Sequence, residues 1–190
     1  MGAARRLDGL SSRIVALHEM LDSMRVPHQF GGAIALAWYR SPRATTDIDV
    51  NITLTPQQAE PVLGALSTLG VGVSASDRAV IARDGQARLD WEGSYLDLFF
   101  ATLDLHLEMA ERSREVVFGP ARIPILAAEH LIVCKAIFDR PKDWVDIEEI
   151  VSWGTDVDRA TVLRWIVELL GVDSSQHERL ADLVPTPQSR

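Results

Sequence analysis

Two glycines and two aspartates constrain this chain more than any other feature: Gly31-Gly32 and, a short interval later, Asp47-Ile48-Asp49-Val50. Alternation along a β-strand puts Asp47 and Asp49 on one face, roughly 6–7 Å apart, and turns Ile48 and Val50 into a core. Two carboxylates held that close repel each other unless a cation sits between them. Mg2+ favours one or two carboxylates together with phosphate oxygens, and it suits this spacing. Upstream, paired glycines let backbone approach a phosphate closely, and a helix starting there points N–H groups at an anion. The pattern therefore predicts a metal–nucleoside triphosphate site.

Composition narrows the setting. A chain of 190 residues with 47% hydrophobic content holds one domain with a sizeable core, or one domain with a small helical annex. One cysteine, Cys134, excludes an intramolecular disulfide framework and fits a reducing cytoplasm. No apolar stretch approaches the roughly 18–20 residues needed to span a bilayer, so no membrane association is expected. The opening Met1-Gly-Ala-Ala-Arg-Arg has no long apolar run behind it, and no signal peptide is expected. A net charge of −8 argues against a broad nucleic-acid-binding surface, though a local basic patch is compatible with it. Seventeen arginines stand against two lysines, which singles out Lys135 and Lys142.

Hydrophobic spacing predicts a helix over 5–24, a short strand at His28–Phe30, a helix over 33–39 and a strand over 47–53. Thr55-Pro56 resembles an N-cap followed by proline, opening a helix to about Leu69. Asp84-Gly85, between 79–83 and 86–91, reads as a two-residue hairpin turn. A second turn at Glu92-Gly93-Ser94 leads to a strand over 95–100, followed by a short helix over 103–112 and a hairpin around Gly119-Pro120. Helical patterns then cover about 126–139, 142–153, 158–170 and 174–183, before a proline-containing tail. The expected fold class is α+β: a mixed sheet flanked by helices, residues 1–124, then a C-terminal helical part, 125–190, packed on the same domain.

Further charged groups join the aspartate pair. Asp97 sits amid apolar residues in the third strand of that meander, where a lone charge is costly without a partner or metal. If its strand lies beside Asp47–Asp49, three carboxylates converge and can hold metal. Lys135 lies in an apolar helix and Asp146 in the next, with the helix-breaking Arg140-Pro141 between them. The two could meet across that break, either as a structural ion pair or as phosphate-binding groups. Arg43, Arg140 and Lys142 could bind triphosphate or RNA backbone; Arg40 reads as a surface charge.

These residues resemble the minimal nucleotidyltransferase superfamily, whose pattern is a glycine pair, a short helix, an Asp-x-Asp strand and a later strand carboxylate. Within it the chain is most similar to AbiEii-type toxins of toxin–antitoxin systems, including the mycobacterial MenT group. The matching segments are Gly31–Ala37, Arg43-x-Thr45-x-Asp47-Ile48-Asp49, and Lys135 followed by Arg140-x-Lys142-Asp143-x-x-Asp146-Ile147. The resemblance runs from about residue 28 to 151 and implies a nucleotidyltransferase-like fold.

It also implies a cytoplasmic toxin that moves nucleotides, pyrimidines above all, from an NTP to the 3′ end of tRNA and so blocks translation. A cognate antitoxin protein would be its partner. On this resemblance Asp47, Asp49 and Asp97 hold Mg2+, Lys135 and Asp146 are essential for transfer, and Gly31, Gly32, Arg43, Thr45 and Lys142 meet the nucleotide. Thr45 is the candidate for inactivating phosphorylation, since a phosphate there places roughly −1.5 to −2 charge beside Asp47.

Two other readings stand beside this one: a small nucleotidyltransferase acting on an antibiotic or protein hydroxyl, and a non-catalytic nucleotide- or partner-binding protein. His18 and His130 read as packed or surface histidines, with no zinc-ligand spacing. Cys134 reads as a buried thiol, and the tryptophans at 38, 91, 144, 153 and 165 as core packing.

Overall fold

Strand β2 (Asp47–Ile52) buries Ile48, Val50 and Ile52 and leaves Asp47 and Asp49 half-exposed, the alternation expected of one solvated and one packed face. In the computed structural model, which describes residues 9–184, this strand lies in the middle of a six-stranded mixed sheet. The other strands are β1 (His28–Phe30), β3 (Gln86–Trp91), β4 (Ser94–Phe100), β5 (Arg114–Phe118) and β6 (Ala121–Ile125). Their spatial order is β3-β4-β2-β1-β6-β5. β2 runs parallel to β4 and antiparallel to β1, while β1 runs parallel to β6. The β3–β4 and β5–β6 pairs are hairpins at the two edges. Glu92 and Gly93 both take positive φ in the first, the backbone that matches strand twist. Gly119 does so ahead of Pro120 in the second.

The helices are α1 (Gly9–Ser23), α2 (Gly32–Leu36), α3 (Glu60–Thr68), α4 (Ala75–Asp84), α5 (Asp104–Glu111), α6 (Ala128–Phe138), α7 (Pro141–Ser152), α8 (Arg159–Leu170) and α9 (Ser175–Leu183). The chain forms two compact units. One contains the sheet, with the chain through Ile34 and Ala44–Leu126; the other groups Ala35–Arg43 with the chain from Ala127 onward. In the sheet unit the core is Phe30, Ile48, Val50, Ile52, Leu96, Leu98 and Phe100, with Leu17 and Leu21 from α1 and Leu63 and Leu66 from α3. In the helical unit α6 packs against α7 and α8, and α9 against α8, around Val133, Ile147, Val162 and Ile166. No helix among the described residues is long and apolar enough to cross a membrane.

The architecture is the mixed α+β sheet expected, with four local differences. The Asp84-Gly85 hairpin is absent, because 75–84 is helix α4 and Gly85, at φ 71°, is its left-handed C-cap. A glycine after a helix and a glycine in a hairpin turn need the same positive φ, so the dipeptide is ambiguous. The deciding signal lies upstream: Ser74 Oγ accepts from Asp77 N at 3.1 Å and Asp77 Oδ2 accepts from Ser74 N at 2.8 Å, a capping box. The helix after Gly31 is only five residues, and the one after Thr55 is a 3-10 turn (Pro56–Gln58) before α3. The predicted first helix begins, and the C-terminal tail lies, outside the described residues.

Gly85 carries a prediction. A Cβ there would stand 2.5 Å from Thr102 Cγ2, on a backbone that side chains rarely adopt. Gly85→Ala is expected to lower unfolding free energy by about 1–3 kcal/mol in urea denaturation, with the far-UV spectrum unchanged. An unaltered midpoint would contradict the cap assignment.

Candidate active site

Pairing register builds the first cluster. Asp49 on β2 stands beside Asp97 on β4, which in turn stands beside Arg88 on β3. One residue pair along, Asp47 stands beside Tyr95. Because side chains alternate, Asp47, Asp49, Tyr95, Asp97 and Arg88 share the face opposite the core. Arg88 bridges this face. Its Nε donates to Asp97 Oδ1 at 2.8 Å, and its Nη2 donates to Asp97 Oδ2 at 2.6 Å and to Asp47 Oδ2 at 3.4 Å. The guanidinium also lies 5.0 Å from the centre of the Tyr95 ring. Hydrogen bonding to Asp97, and the charges of Asp97, Asp47 and Asp49, raise the Arg88 pKa above its ordinary value.

Gly31 and Gly32 meet this cluster through Asp49. Gly31 N donates to Asp49 O at 2.9 Å. Gly32 has φ 50°, and a Cβ on it would fall 1.9 Å from Asp49 Oδ2. Only glycine leaves that carboxylate where it is. The close approach that the glycine pair permits is thus, in this structure, the approach of Asp49 to the backbone. Thr45 Oγ1 accepts from Asp47 N at 3.1 Å, and the neighbouring Thr46 hydroxyl donates to Asp47 Oδ1 at 3.3 Å.

The three carboxylates offer only oxygen donors, which is the chemistry Mg2+ takes, and the space at Gly32 is filled by one of them. Among the described residues no three acidic, histidine or cysteine side chains are gathered tightly enough to form a complete metal cage. Mg2+ needs none, since it keeps water and phosphate oxygens in its shell.

The second cluster belongs to the helical unit and is centred on Asp146. Lys135 Nζ donates to Asp146 Oδ2 at 2.7 Å, Arg40 Nη1 to Oδ1 at 2.7 Å, and Arg43 Nη2 to Oδ2 at 3.4 Å. Arg40 also pairs with Glu149. Lys135 lies 3.8 Å from Asp143, whose carboxylate accepts from Arg140 Nε at 2.6 Å and from Nη2 at 3.1 Å. Lys135, Asp143 and Asp146 are all buried. Pro141 begins α7, so Arg140 and Asp143 face each other across its first turn. Lys142 is exposed in that same turn.

This cluster corrects the surface reading of Arg40. Its side chain is 13% exposed and fastens 35–43 to α7. Two tryptophans also depart from the core reading: Trp91, Trp144 and Trp165 are buried, but Trp38 and Trp153 are exposed. With Tyr39, Arg40 and Pro42 they line a cavity of about 370 Å3. Cys134 is half-buried, and His18 Nδ1 lies 2.9 Å from Nε2 of the buried His28. The signal for Arg88 was register alone: no local pattern shows that it stands beside Asp97.

No protein-family model and no curated protein matches the sequence. The fold is similar to that of the antibiotic-resistance factor ANT(2'')-Ia in solution, with TM-score 0.52 and 16% identity over 90% of this chain and 89% of that one. It is similar also to ANT(2'')-Ia in complex with adenylyl-2''-tobramycin, at 0.53 and 15% over 91% and 93%. The lincosamide antibiotic adenylyltransferase LnuA, bound to lincomycin, gives 0.52 and 15% over 78% and 99%. The chain therefore has a nucleotidyltransferase-like fold.

Asp143 gives a pH prediction. Burial pushes its carboxyl up, but hydrogen bonds and charge from Arg140, with the charge of Lys135, hold it below its ordinary 3.8. The unfolded chain then takes up the proton first, so this stabilisation is complete above about pH 4 and is lost as pH falls through the lower folded value. Asp143→Asn should flatten the acid-side decline in melting temperature relative to the parent protein. Parallel declines below pH 4 would contradict the charge pairing.

Proposed function

We propose that this chain catalyses nucleotidyl transfer from a nucleoside triphosphate to an acceptor hydroxyl. The observation that carries the reading is the gathering of Asp47, Asp49 and Asp97 on one sheet face, with Asp49 seated against Gly32. Asp47 and Asp49, with Asp97 beside them, would hold Mg2+, which supplies charge neutralisation for a triphosphate. The carboxylate face positions the acceptor hydroxyl for in-line attack on the α-phosphorus. A P–O bond forms there, the α–β bridge bond breaks, pyrophosphate leaves, and the hydroxyl proton passes to a carboxylate of the row. Such catalysis rests on positioning and electrostatics.

For the acceptor, the reading supported by the sequence resemblance is the 3′ end of tRNA. The protein would then act as a toxin held in check by a cognate antitoxin, with pyrimidine nucleotides preferred and Thr45 open to inactivating phosphorylation. Lys135 and Asp146 carry the resemblance to that branch. A second reading, a small-molecule hydroxyl, is favoured by the net charge of −8 and by the fold likeness to antibiotic adenylyltransferases. A surface that binds tRNA ordinarily needs excess positive charge.

Transfer of α-32P label from each NTP in the presence of Mg2+, offered to total tRNA, tobramycin and lincomycin in parallel, tests both. Labelled tRNA, strongest with CTP or UTP and reduced at least about a hundredfold by Asp49→Ala, is the expected result. Label on an antibiotic alone would select the second reading. An Asp49→Ala protein as active as the parent would defeat the assignment altogether.

A further inference from the structure

An arginine in the place where a cation is needed calls for its own account. Arg88 stands at the end of the row Asp49–Asp97–Arg88, on an edge strand, with its side chain 54% exposed. A simple cross-strand ion pair would use Asp97 only. Here the guanidinium forks onto both oxygens of Asp97 and reaches past β4 to Asp47 on β2. It therefore offsets the charge of two carboxylates on two strands. Tyr95 lies against it. A guanidinium matches carboxylates in two-pronged geometry and keeps its charge at every accessible pH.

We propose that Arg88 is a built-in counter-ion. It occupies the carboxylate cluster of the metal-free protein in place of a divalent cation and must withdraw from Asp97 and Asp47 as the cation binds. The proposal deepens, and rests on, the reading of Asp47, Asp49 and Asp97 as the metal-holding residues. Two consequences follow. The metal-free protein tolerates three neighbouring carboxylates without strong repulsion. Divalent-cation affinity is also set below what the carboxylates alone would give, because an intramolecular competitor has to leave first. Exposure makes that withdrawal feasible, since an ion pair open to solvent is easily exchanged for water. The cluster is then loaded where cation and triphosphate arrive together, the phosphates adding ligands that Arg88 cannot outcompete.

The test uses the full chain and Mn2+ alone, read by the electron paramagnetic resonance signal of free Mn2+, on the parent protein, Arg88→Gln, Arg88→Lys and Asp49→Ala. Arg88→Gln is expected to bind Mn2+ about tenfold tighter than the parent. Arg88→Lys keeps the charge but loses the fork, and should fall between the two. Asp49→Ala should bind far more weakly. In EDTA, Arg88→Gln should melt several degrees below the parent, and Mn2+ should close that gap.

Arg88→Gln binding Mn2+ no tighter than the parent, with Asp49→Ala weakened, would overturn the counter-ion while leaving the metal site in place. Arg88→Lys indistinguishable from the parent would also overturn it, reducing the effect to net charge. Asp49→Ala binding as well as the parent would remove the metal assignment and the counter-ion with it.

Discussion

Parallel pairing of β2 with β4 brings Asp49 beside Asp97, with Asp47 one residue pair away, and forces three carboxylates onto one face of a packed sheet. Much of the sheet unit answers to that repulsion. The reverse faces of the two strands are wholly apolar, so neither strand can shift by one residue without burying its aspartates. Gly32 gives up a side chain so that one carboxylate can lie against backbone. Arg88 supplies positive charge from the neighbouring strand. An arrangement that leaves anions crowded, half-exposed and provided with a removable counter-charge is suited to receiving a cation and a phosphorylated ligand.

The helical unit solves the opposite problem. There the carboxylates of Asp143 and Asp146 are taken out of water altogether and matched with Lys135, Arg40 and Arg140. Buried ion pairs of this kind contribute little net stability but are damaging to break, because removal of one partner strands the other. Lys135 therefore has a structural task whatever its part in transfer: it joins α6 to α7, while Arg40 ties in 35–43. A loss of activity on substituting Lys135 is informative only when the protein's melting temperature is measured alongside it.

Periodicity and punctuation made most of the elements legible. Asp47-Ile48-Asp49 declared its two faces, Glu92-Gly93 its turn, and Arg140-Pro141 the break that lets Lys135 meet Asp146. What escaped depended on partners far away in the chain. Asp84-Gly85 served a helix end instead of a hairpin, because Ser74 and Asp77 had already begun a helix. Arg40 looked like a surface residue until Asp146 and Glu149 were brought to it. Trp38 and Trp153 looked like core residues, yet both line an open cavity. Arg88 was indistinguishable from any other arginine until strand register set it beside Asp97.

The central claim is that the carboxylate face next to Gly31-Gly32 is where a nucleotide and its cation come together. A crystal structure of the unmutated protein, grown with Mn2+ and a CTP analogue that cannot be cleaved between the α- and β-phosphates, tests it most directly. The account predicts an anomalous peak between Asp47 and Asp49, with triphosphate density on the same face and the Arg88 guanidinium moved off Asp97. Nucleotide and manganese bound elsewhere, with the Arg88–Asp97 fork intact, would contradict it.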